Sequence, residues 1–472
     1  MKERPLVGER ELELQRECAE KVRLMEDRPD SYHIVTLGCQ MNERDSETIA
    51  GILSEMGMRP EPVRENADLI LYNTCCVREN AENRALGNVI WLKELKKRRP
   101  ELLICVGGCM AQEKGMAERM KNLYPFIDLV FGTHNMHRLA EYILRVLEGR
   151  KPVIEVDEID GVIAEGLPER RSSAFSAFVN IMYGCDNFCS YCIVPYVRGR
   201  ERSRDPEAIL DEAKRLVDRG VKEITLLGQN VNSYRGGGGE FAELLYRLDR
   251  LGVPRIRFMT SHPKDLSDEL IAAYGELSHL MPSLHLPVQA GNDGILHAMN
   301  RCYTREKYLS LVDRLRSVKT DIGLTSDIIV GFPGETEAQF LDTMSLVERV
   351  RFDAAFTFVF SSRVGTKAAS LPDDTPAAVK SERIQRLIDL QQRISLEILE
   401  AQVGKRETVL VESVSARDEQ SVGGKTPRGH MVNFPGNAEL IGRFVTVEIL
   451  SAGRNTLRGR RWTEEERNEG RI

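Results

Sequence analysis

Two separate series of short apolar runs alternating with helical stretches dominate the 472-residue chain, and they limit it to an α/β architecture built more than once. In the first series, from Tyr32 to about Gly149, the runs His33–Leu37, Asp68–Asn73, Leu102–Val106 and Asp128–Phe131 predict strands of an open parallel sheet. The rhythm stops over 151–172, a polar stretch with Gly161, Gly166 and Pro168 that reads as a linker. It restarts over 173–402 with runs at Ala177–Met182, Lys222–Leu227, Arg255–Thr260, Ser283–Leu286, Gly323–Val330 and Ala354–Phe360. Six βα units are too few for a closed eight-stranded barrel and predict an open, partial (β/α)6 barrel. After a long helix over about Pro376–Val403, short β runs at Glu407–Glu412, His430–Phe434 and Phe444–Leu450 predict a small β-barrel spanning 403–465, with 466–472 as a tail. Residues 1–30 read as a charged, helical and dispensable extension whose Cys18 has no partner spacing.

At ~150 residues per domain the length suits about three domains. No segment approaches the ~18 uninterrupted apolar residues of a membrane span, and the amino terminus lacks the apolar core of a signal peptide, so the expectation is a cytoplasmic protein without a membrane partner. Ten cysteines in a reducing compartment then pose a question of metal binding rather than of disulfides.

Cys185, Cys189 and Cys192 form a C-x3-C-x2-C motif in the loop after the first strand of the second series. Thiolates are the natural ligands of iron-sulfur clusters, and three of them on a cubane leave one iron open to a small molecule. Zinc instead favours four closed ligands with paired C-x2-C spacing. In the first series three strands run into cysteines at their carboxyl ends, Cys39, Cys75 and Cys109, and the carboxyl ends of neighbouring parallel strands line one crevice. Those three thiols can share a second cluster. Cys105 falls inside an apolar strand and reads as a small buried hydrophobe, whereas spacing alone leaves open which of Cys75 and Cys76 faces the crevice.

The net charge of −6 excludes a uniformly basic nucleic-acid coat but not a local basic face. Residues 403–461 reverse the sign, with ten Lys/Arg against six Asp/Glu, and a positive β-barrel suits phosphate contact. A second basic run, Arg198-Gly-Arg-Glu-Arg-Ser-Arg204, follows the cysteine loop. Those arginines can bind substrate phosphates or merely be exposed. The histidines, His262, His285 and His297 among them, show no ligand spacing.

Leu37-Gly-Cys-Gln-Met-Asn-Glu43, Asn73-Thr-Cys-Cys-Val-Arg78 and Gly108-Cys-Met-Ala-Gln112, in order before the C-x3-C-x2-C loop, resemble the radical SAM methylthiotransferases over nearly the whole chain after residue 30. Lys425–Gly436 resembles the TRAM domain, an RNA-binding module. These resemblances imply Arg198, Arg200, Arg202, Arg204, Lys425 and Arg428 as the candidate RNA-binding residues. The resemblance implies two 4Fe-4S clusters and two molecules of S-adenosylmethionine (SAM). Cys185, Cys189 and Cys192 would hold the catalytic cluster that reduces SAM to a 5'-deoxyadenosyl radical, a route suited to an unactivated adenine C–H bond. Cys39, Cys75 and Cys109 would hold the sulfur-donating cluster, with Cys76 at a variable position of the motif. Gly228, Gln229 and Asn230 would meet the amino end of SAM, and Ser326, Asp327 and Gly331 its ribose and adenine. Val194–Arg204, Thr260–Lys264 and Val432–Gly436 are most similar to members acting on tRNA that carries N6-isopentenyladenosine beside the anticodon. The implied protein is a monomer served by an electron donor such as flavodoxin or ferredoxin. Threonylcarbamoyladenosine in tRNA, a ribosomal-protein aspartate, and a non-catalytic iron-sulfur RNA-binding protein are the competing expectations.

Overall fold

The structure is a computed structural model describing residues 6–76, 79–149, 151–156, 162–415 and 418–462. Val77 and Arg78 of the second cysteine motif, Gly161, residues 1–5 and the 466–472 tail lie outside the described residues. The amino-terminal sheet has six parallel strands: β1 (Ser31–Thr36), β2 (Arg59–Pro60), β3 (Leu69–Thr74), β4 (Leu103–Gly108), β5 (Leu129–Phe131) and β6 (Val153–Glu155), in spatial order β2-β1-β3-β4-β5-β6. Every residue of β3 and β4 is buried, as expected of central parallel strands covered on both faces.

Two expectations are corrected here. The presumed linker contributes β6, which pairs with β5 through Leu129 and Val153, and further along Ile163 bridges to Leu6. This strand escaped notice because it is only three residues long and flanked by charge. The presumed dispensable extension carries the helix Glu9–Leu24, which packs against the helix Leu139–Gly149. Cys18 and Val22, one helical turn apart, are 4% and 0% exposed, so an apolar stripe lies hidden in a charged composition.

The second unit comprises β7 (Ser176–Asn180), β10 (Glu223–Leu227) and β13 (Arg255–Phe258) in one parallel sheet, and β14 (Ser283–His285), β15 (Gly323–Val330) and β16 (Ala354–Val359) in another. The halves meet just before β14, where the Ile256 amide donates to the His279 carbonyl at 2.8 Å and the Met281 amide to the Ile256 carbonyl at 3.0 Å. Apolar side chains such as Leu226, Ile256, Leu324 and Ile328 fill one continuous core. A short antiparallel pair, β8 (Met182–Tyr183) with β9 (Arg202–Ser203), brackets the cysteine loop, and β11 (Arg235–Gly236) with β12 (Gly239–Glu240) forms a small hairpin. The helix Gln40–Glu55 ties the two units together: Arg44 pairs with Glu212 at 3.2 Å and with Glu169 at 2.5 Å.

The carboxyl-terminal unit is a closed barrel of β17 (Arg406–Ser415), β18 (Asp418–Lys425), β19 (Met431–Pro435), β20 (Phe444–Ala452) and β21 (Leu457–Arg461). Strands β18 and β21 were not anticipated, because glycine and charge break their apolar pattern. This barrel docks on the amino-terminal ends of the larger barrel's strands. Lys222, just before β10, donates to the Gly442 carbonyl at 2.5 Å. Arg255, opening β13, donates to the Lys425 and Thr408 carbonyls at 2.8 and 2.6 Å. Asp353, just before β16, accepts from Arg428 and His430. The helix Ala377–Glu400 leads into this barrel, and no helix among the described residues is long and apolar enough to cross a membrane.

Candidate metal centres

Because β1, β3 and β4 are adjacent and parallel, the residues that leave their carboxyl ends become neighbours. Cys39 precedes the helix Gln40–Glu55, Cys75 follows β3 directly, and Cys109 opens the four-residue helix Cys109–Gln112. The approach is close enough that a Cβ on Gly38, whose φ is +132°, would stand 2.7 Å from the Cys75 Cβ. Gly108, at φ +94°, likewise leaves no room for a side chain beside the Asn73 Oδ1, 2.5 Å from where its Cβ would stand. Asn42 organises the group. Its Oδ1 accepts from the Cys39 and Cys109 thiols at 3.8 and 3.9 Å, while its Nδ2 donates to the Leu37 and Thr74 carbonyls at 3.0 and 2.8 Å.

A guanidinium completes this site. Arg198 donates from Nε to the Cys109 sulfur at 3.2 Å and from Nη2 to the Asn42 Oδ1 at 3.0 Å, and it pairs with Asp45 at 2.7 Å. The Cys109 thiol is held down to about 6 by the hydrogen bond from Cys76, with burial opposing and Arg198 assisting. Cys39 is exposed, yet the protein packed around its sulfur pushes the thiol up, against the pull of Arg198. Cys76 is wholly buried and is raised by its bond to Cys109, so it sits within this group, although the family resemblance implied only Cys75 there and spacing left the two open. Cys105 is buried in β4, and its thiol is raised by that burial, in keeping with a packing role.

The second group lies in the loop bracketed by β8 and β9. The Cys185 amide donates to the Gly199 carbonyl at 3.1 Å, the Cys192 amide to the Cys189 carbonyl at 2.9 Å, and the Ser190 amide to the Met299 carbonyl at 3.0 Å. The three sulfurs sense one another: burial, then the neighbouring thiols, push Cys185 up to about 11 and Cys192 up to about 12. Here too a buried guanidinium approaches one sulfur, Arg301 Nη1 standing 3.4 Å from Cys189 while its Nη2 donates to the Pro287 carbonyl at 2.8 Å. Among the described residues no three Cys, His, Asp or Glu side chains converge as ligands of a single ion. A cubane asks for something different, one thiolate on each of several irons, and two cysteine trios, each with a guanidinium to offset thiolate charge, fit that demand.

The carboxyl ends of the barrel strands carry buried polar atoms without a protein partner: Asn180 Oδ1 at the end of β7, Asn230 Oδ1 beyond β10, and Ser261 Oγ and His262 Nε2 beyond β13. Such atoms are costly unless a polar ligand meets them, and SAM is polar at both ends. Asn230 Nδ2 is already held by Asp265 at 2.7 Å. Gln229 Oε1 accepts from the Gly184 amide, so it braces the cysteine loop, and Gly228 packs so tightly on Met182 that a Cβ would stand 2.4 Å from its Cγ. Ser326 is buried and its Oγ accepts from the Val288 amide at 2.9 Å, Asp327 lies 3.6 Å from the His285 Nε2, and the Gly331 amide donates to Glu335 at 2.8 Å.

The basic residues divide. Arg198 and Arg204 are corrected as RNA contacts, because both guanidinium groups are buried, Arg204 against Glu165 at 2.6 Å and Glu212 at 2.8 Å. Arg428 is committed to Asp353, and Lys425 pairs with Glu412 at 3.2 Å. Arg202 donates to the Arg200 and Arg198 carbonyls. Arg200, 56% exposed, pairs with Asp186 and lies 5.1 Å over the Phe188 ring, leaving it the most available of the run. The sequence reading missed Asn42, Asp45 and Arg301 as site residues; the three-residue spacing from Cys39 to Asn42 across a helix amino terminus was the available signal for the first.

Family models match three segments: the radical SAM superfamily over 179–347, the uncharacterized protein family UPF0004 over 31–132 and the TRAM domain over 400–461. A protein of Thermoanaerobacter sp. (strain X514) described as tRNA-2-methylthio-N(6)-dimethylallyladenosine synthase is 52% identical over 432 residues, covering 91% of this chain and 92% of that one. One of the same description from Carboxydothermus hydrogenoformans is 51% identical over 423 residues, 89% and 96% of the two chains. Among solved structures, the radical S-adenosylmethionine methyltransferase TsrM from Kitasatospora setae, with tryptophan substrate and a SAM analogue bound, aligns over 82% of this chain and 79% of that one, with a TM-score of 0.51 at 13% identity, a likeness of fold.

Proposed function

Since the chain belongs to the tRNA-2-methylthio-N(6)-dimethylallyladenosine synthase family of radical SAM transferases, we propose that it adds a methylthio group to carbon 2 of N6-isopentenyladenosine beside the tRNA anticodon, with each cysteine trio holding one 4Fe-4S cluster. The observation that carries this reading is that Cys39, Cys75 and Cys109 leave the carboxyl ends of three adjacent parallel strands, with Arg198, from the helix just past the Cys185–Cys192 loop, against Cys109. When bound, the clusters supply the electron that splits SAM and the sulfur that is transferred.

The chain's own residues do the rest. Asn42 fixes the separation of Cys39 and Cys109, and Arg198 and Arg301 each place a permanent positive charge against one sulfur, which steadies the thiolate form. Gln229 braces the loop backbone at Gly184. The unpartnered atoms of Asn180, Asn230, Ser261 and His262 offer SAM or the substrate base donors and acceptors in a site from which water is largely excluded. Asp327, 3.6 Å from the His285 Nε2, and the buried Ser326 lie midway along β15, on the strand where ribose and adenine would be met. Arg200 and the TRAM barrel are the proposed RNA contacts, with the base turned out of its stack to reach the barrel mouth. A monomer working in the cytoplasm with a flavodoxin or ferredoxin donor completes the proposal. Nucleoside mass spectrometry of isopentenylated tRNA, incubated with reconstituted protein, SAM and reductant, will show a gain of a methylthio group. Unchanged nucleoside, with 5'-deoxyadenosine also absent, would sink the assignment.

A further inference from the structure

The segment Val197–Gly199 touches both cysteine groups at once. The Gly199 carbonyl receives the Cys185 amide at 3.1 Å, while one residue earlier the Arg198 side chain reaches across the domain boundary to the Cys109 sulfur at 3.2 Å. The same segment is pinned from the amino-terminal side, where Thr133 Oγ1 donates to the Val197 carbonyl at 2.5 Å. Arg198 and Asp45 are 7% and 9% exposed, so this charge pair has little water to screen it, and the guanidinium is locked by three acceptors in three directions, Cys109 Sγ, Asn42 Oδ1 and Asp45 Oδ2. Arginine has the planar fork for such a task; a lysine carries the charge without the geometry.

We propose that Arg198 is a positioning residue of the sulfur-donating site: it sets the charge balance around Cys109 and registers that site against the Cys185–Cys192 loop. The inference rests on Cys39, Cys75 and Cys109 holding a cluster. A hydrogen bond to a cluster sulfur and a fixed positive charge beside it both favour the more reduced, more negative state. Removing Arg198 therefore shifts the site's reduction potential to more negative values, and the loss of a fixed ligand orientation weakens iron retention.

The test uses full-length protein in which Cys185, Cys189 and Cys192 are changed to alanine, so that only the amino-terminal site is read. Into this parent are placed Arg198→Lys, Arg198→Gln, and the double change Asp45→Asn with Arg198→Gln, which removes the buried charge pair as a unit and guards against misfolding of the single variant. Iron per chain, visible absorbance and a redox titration followed by electron paramagnetic resonance are measured for each. The expected result is a more negative midpoint in Arg198→Gln, with the lysine variant between it and the parent and the double variant, which keeps the parent's net charge and loses only the hydrogen bond to Cys109, shifted less than the single glutamine variant, or loss of iron from the glutamine variants while the lysine variant keeps it. Equal midpoints and equal iron in parent and glutamine variants overturn the role of Arg198. A parent that binds no iron overturns the cluster assignment itself, and this proposal with it.

Discussion

Asp353 is the residue whose replacement most directly tests how the TRAM barrel is attached. Its carboxylate, 6% exposed, accepts from Arg428 at 2.6 and 3.0 Å, from His430 Nε2 at 2.8 Å and from the Leu324 amide at 3.0 Å. Removing one partner of a buried ion pair costs about 3–5 kcal/mol. Arg428 is 24% exposed and recovers some hydration, and asparagine keeps an oxygen for Leu324, so Asp353→Asn should weaken docking by about 2–3 kcal/mol. That corresponds to about a 30- to 150-fold larger population of locally opened molecules, which amide hydrogen exchange around Thr426–Met431 will read as faster exchange at neutral pH. The pH dependence follows from the same carboxylate. Burial pushes its pKa up, but the hydrogen bonds from His430 and Arg428 outweigh it and hold the group below the ordinary carboxylate range. A lowered folded-state pKa gives stability that is present above the unfolded value, about 4, and is lost as pH falls through the folded value. Protection in the native protein should therefore drop in acid toward that of the variant, which itself changes little. Identical exchange in both proteins at pH 7 would refute the attachment described.

Arg204→Ala should destabilise the protein by about 2–3 kcal/mol in thermal or urea unfolding, since it removes a buried guanidinium from Glu165 and Glu212 and leaves Glu212 with Arg44 alone, whereas Arg200→Ala should leave stability within about 0.5 kcal/mol and weaken tRNA binding with a shallower salt dependence. Deleting residues 1–26 exposes the faces covered by Cys18, Ala19 and Val22 and should cost about 3 kcal/mol, seen as a lower thermal midpoint; an unchanged midpoint would restore the view of this segment as dispensable. Cys75→Ala should cost the amino-terminal site its iron, while Cys76→Ala retains most of it, as judged by iron per chain after reconstitution. The reverse pattern would exchange the roles of the two cysteines.

The parts of the fold that could be read from sequence share one property, a local pattern strong enough to stand alone. β3 and β4 were anticipated to within a residue or two because central parallel strands, buried at every position, read as apolar runs, and β15 at Gly323–Val330 because apolar residues bracket its polar middle. β18, with Gly423 and Gly424, and the arginine-rich β21 gain their stability from barrel closure, which no local window contains. Cys39, Cys75 and Cys109 were visible because each follows a strand end, and Cys185, Cys189 and Cys192 because of their spacing. Arg198 was misjudged for the opposite reason: within a run of arginines it resembles a solvated surface, and only the long-range approach of Asp45, Asn42 and Cys109 makes a buried guanidinium tolerable. Arg301 gave no local sign of its contact with Cys189, which lies 112 residues away in the chain.

The bridge between Leu6 and Ile163, with the helix Glu9–Leu24 lying on Leu139–Gly149, has a consequence for birth on the ribosome. Leu6 meets its partner only after more than 150 further residues have been made, and the helix Glu9–Leu24 after more than 110, which at roughly 5–20 residues per second is a delay on the order of ten seconds. Cys39, Cys75 and Cys109 all emerge during that wait, and Arg198 follows later still. Nascent chains thus pass through an interval in which Cys75 and Cys109 have been synthesised but not yet enclosed, and oxygen or stray metal ions meet them most easily then.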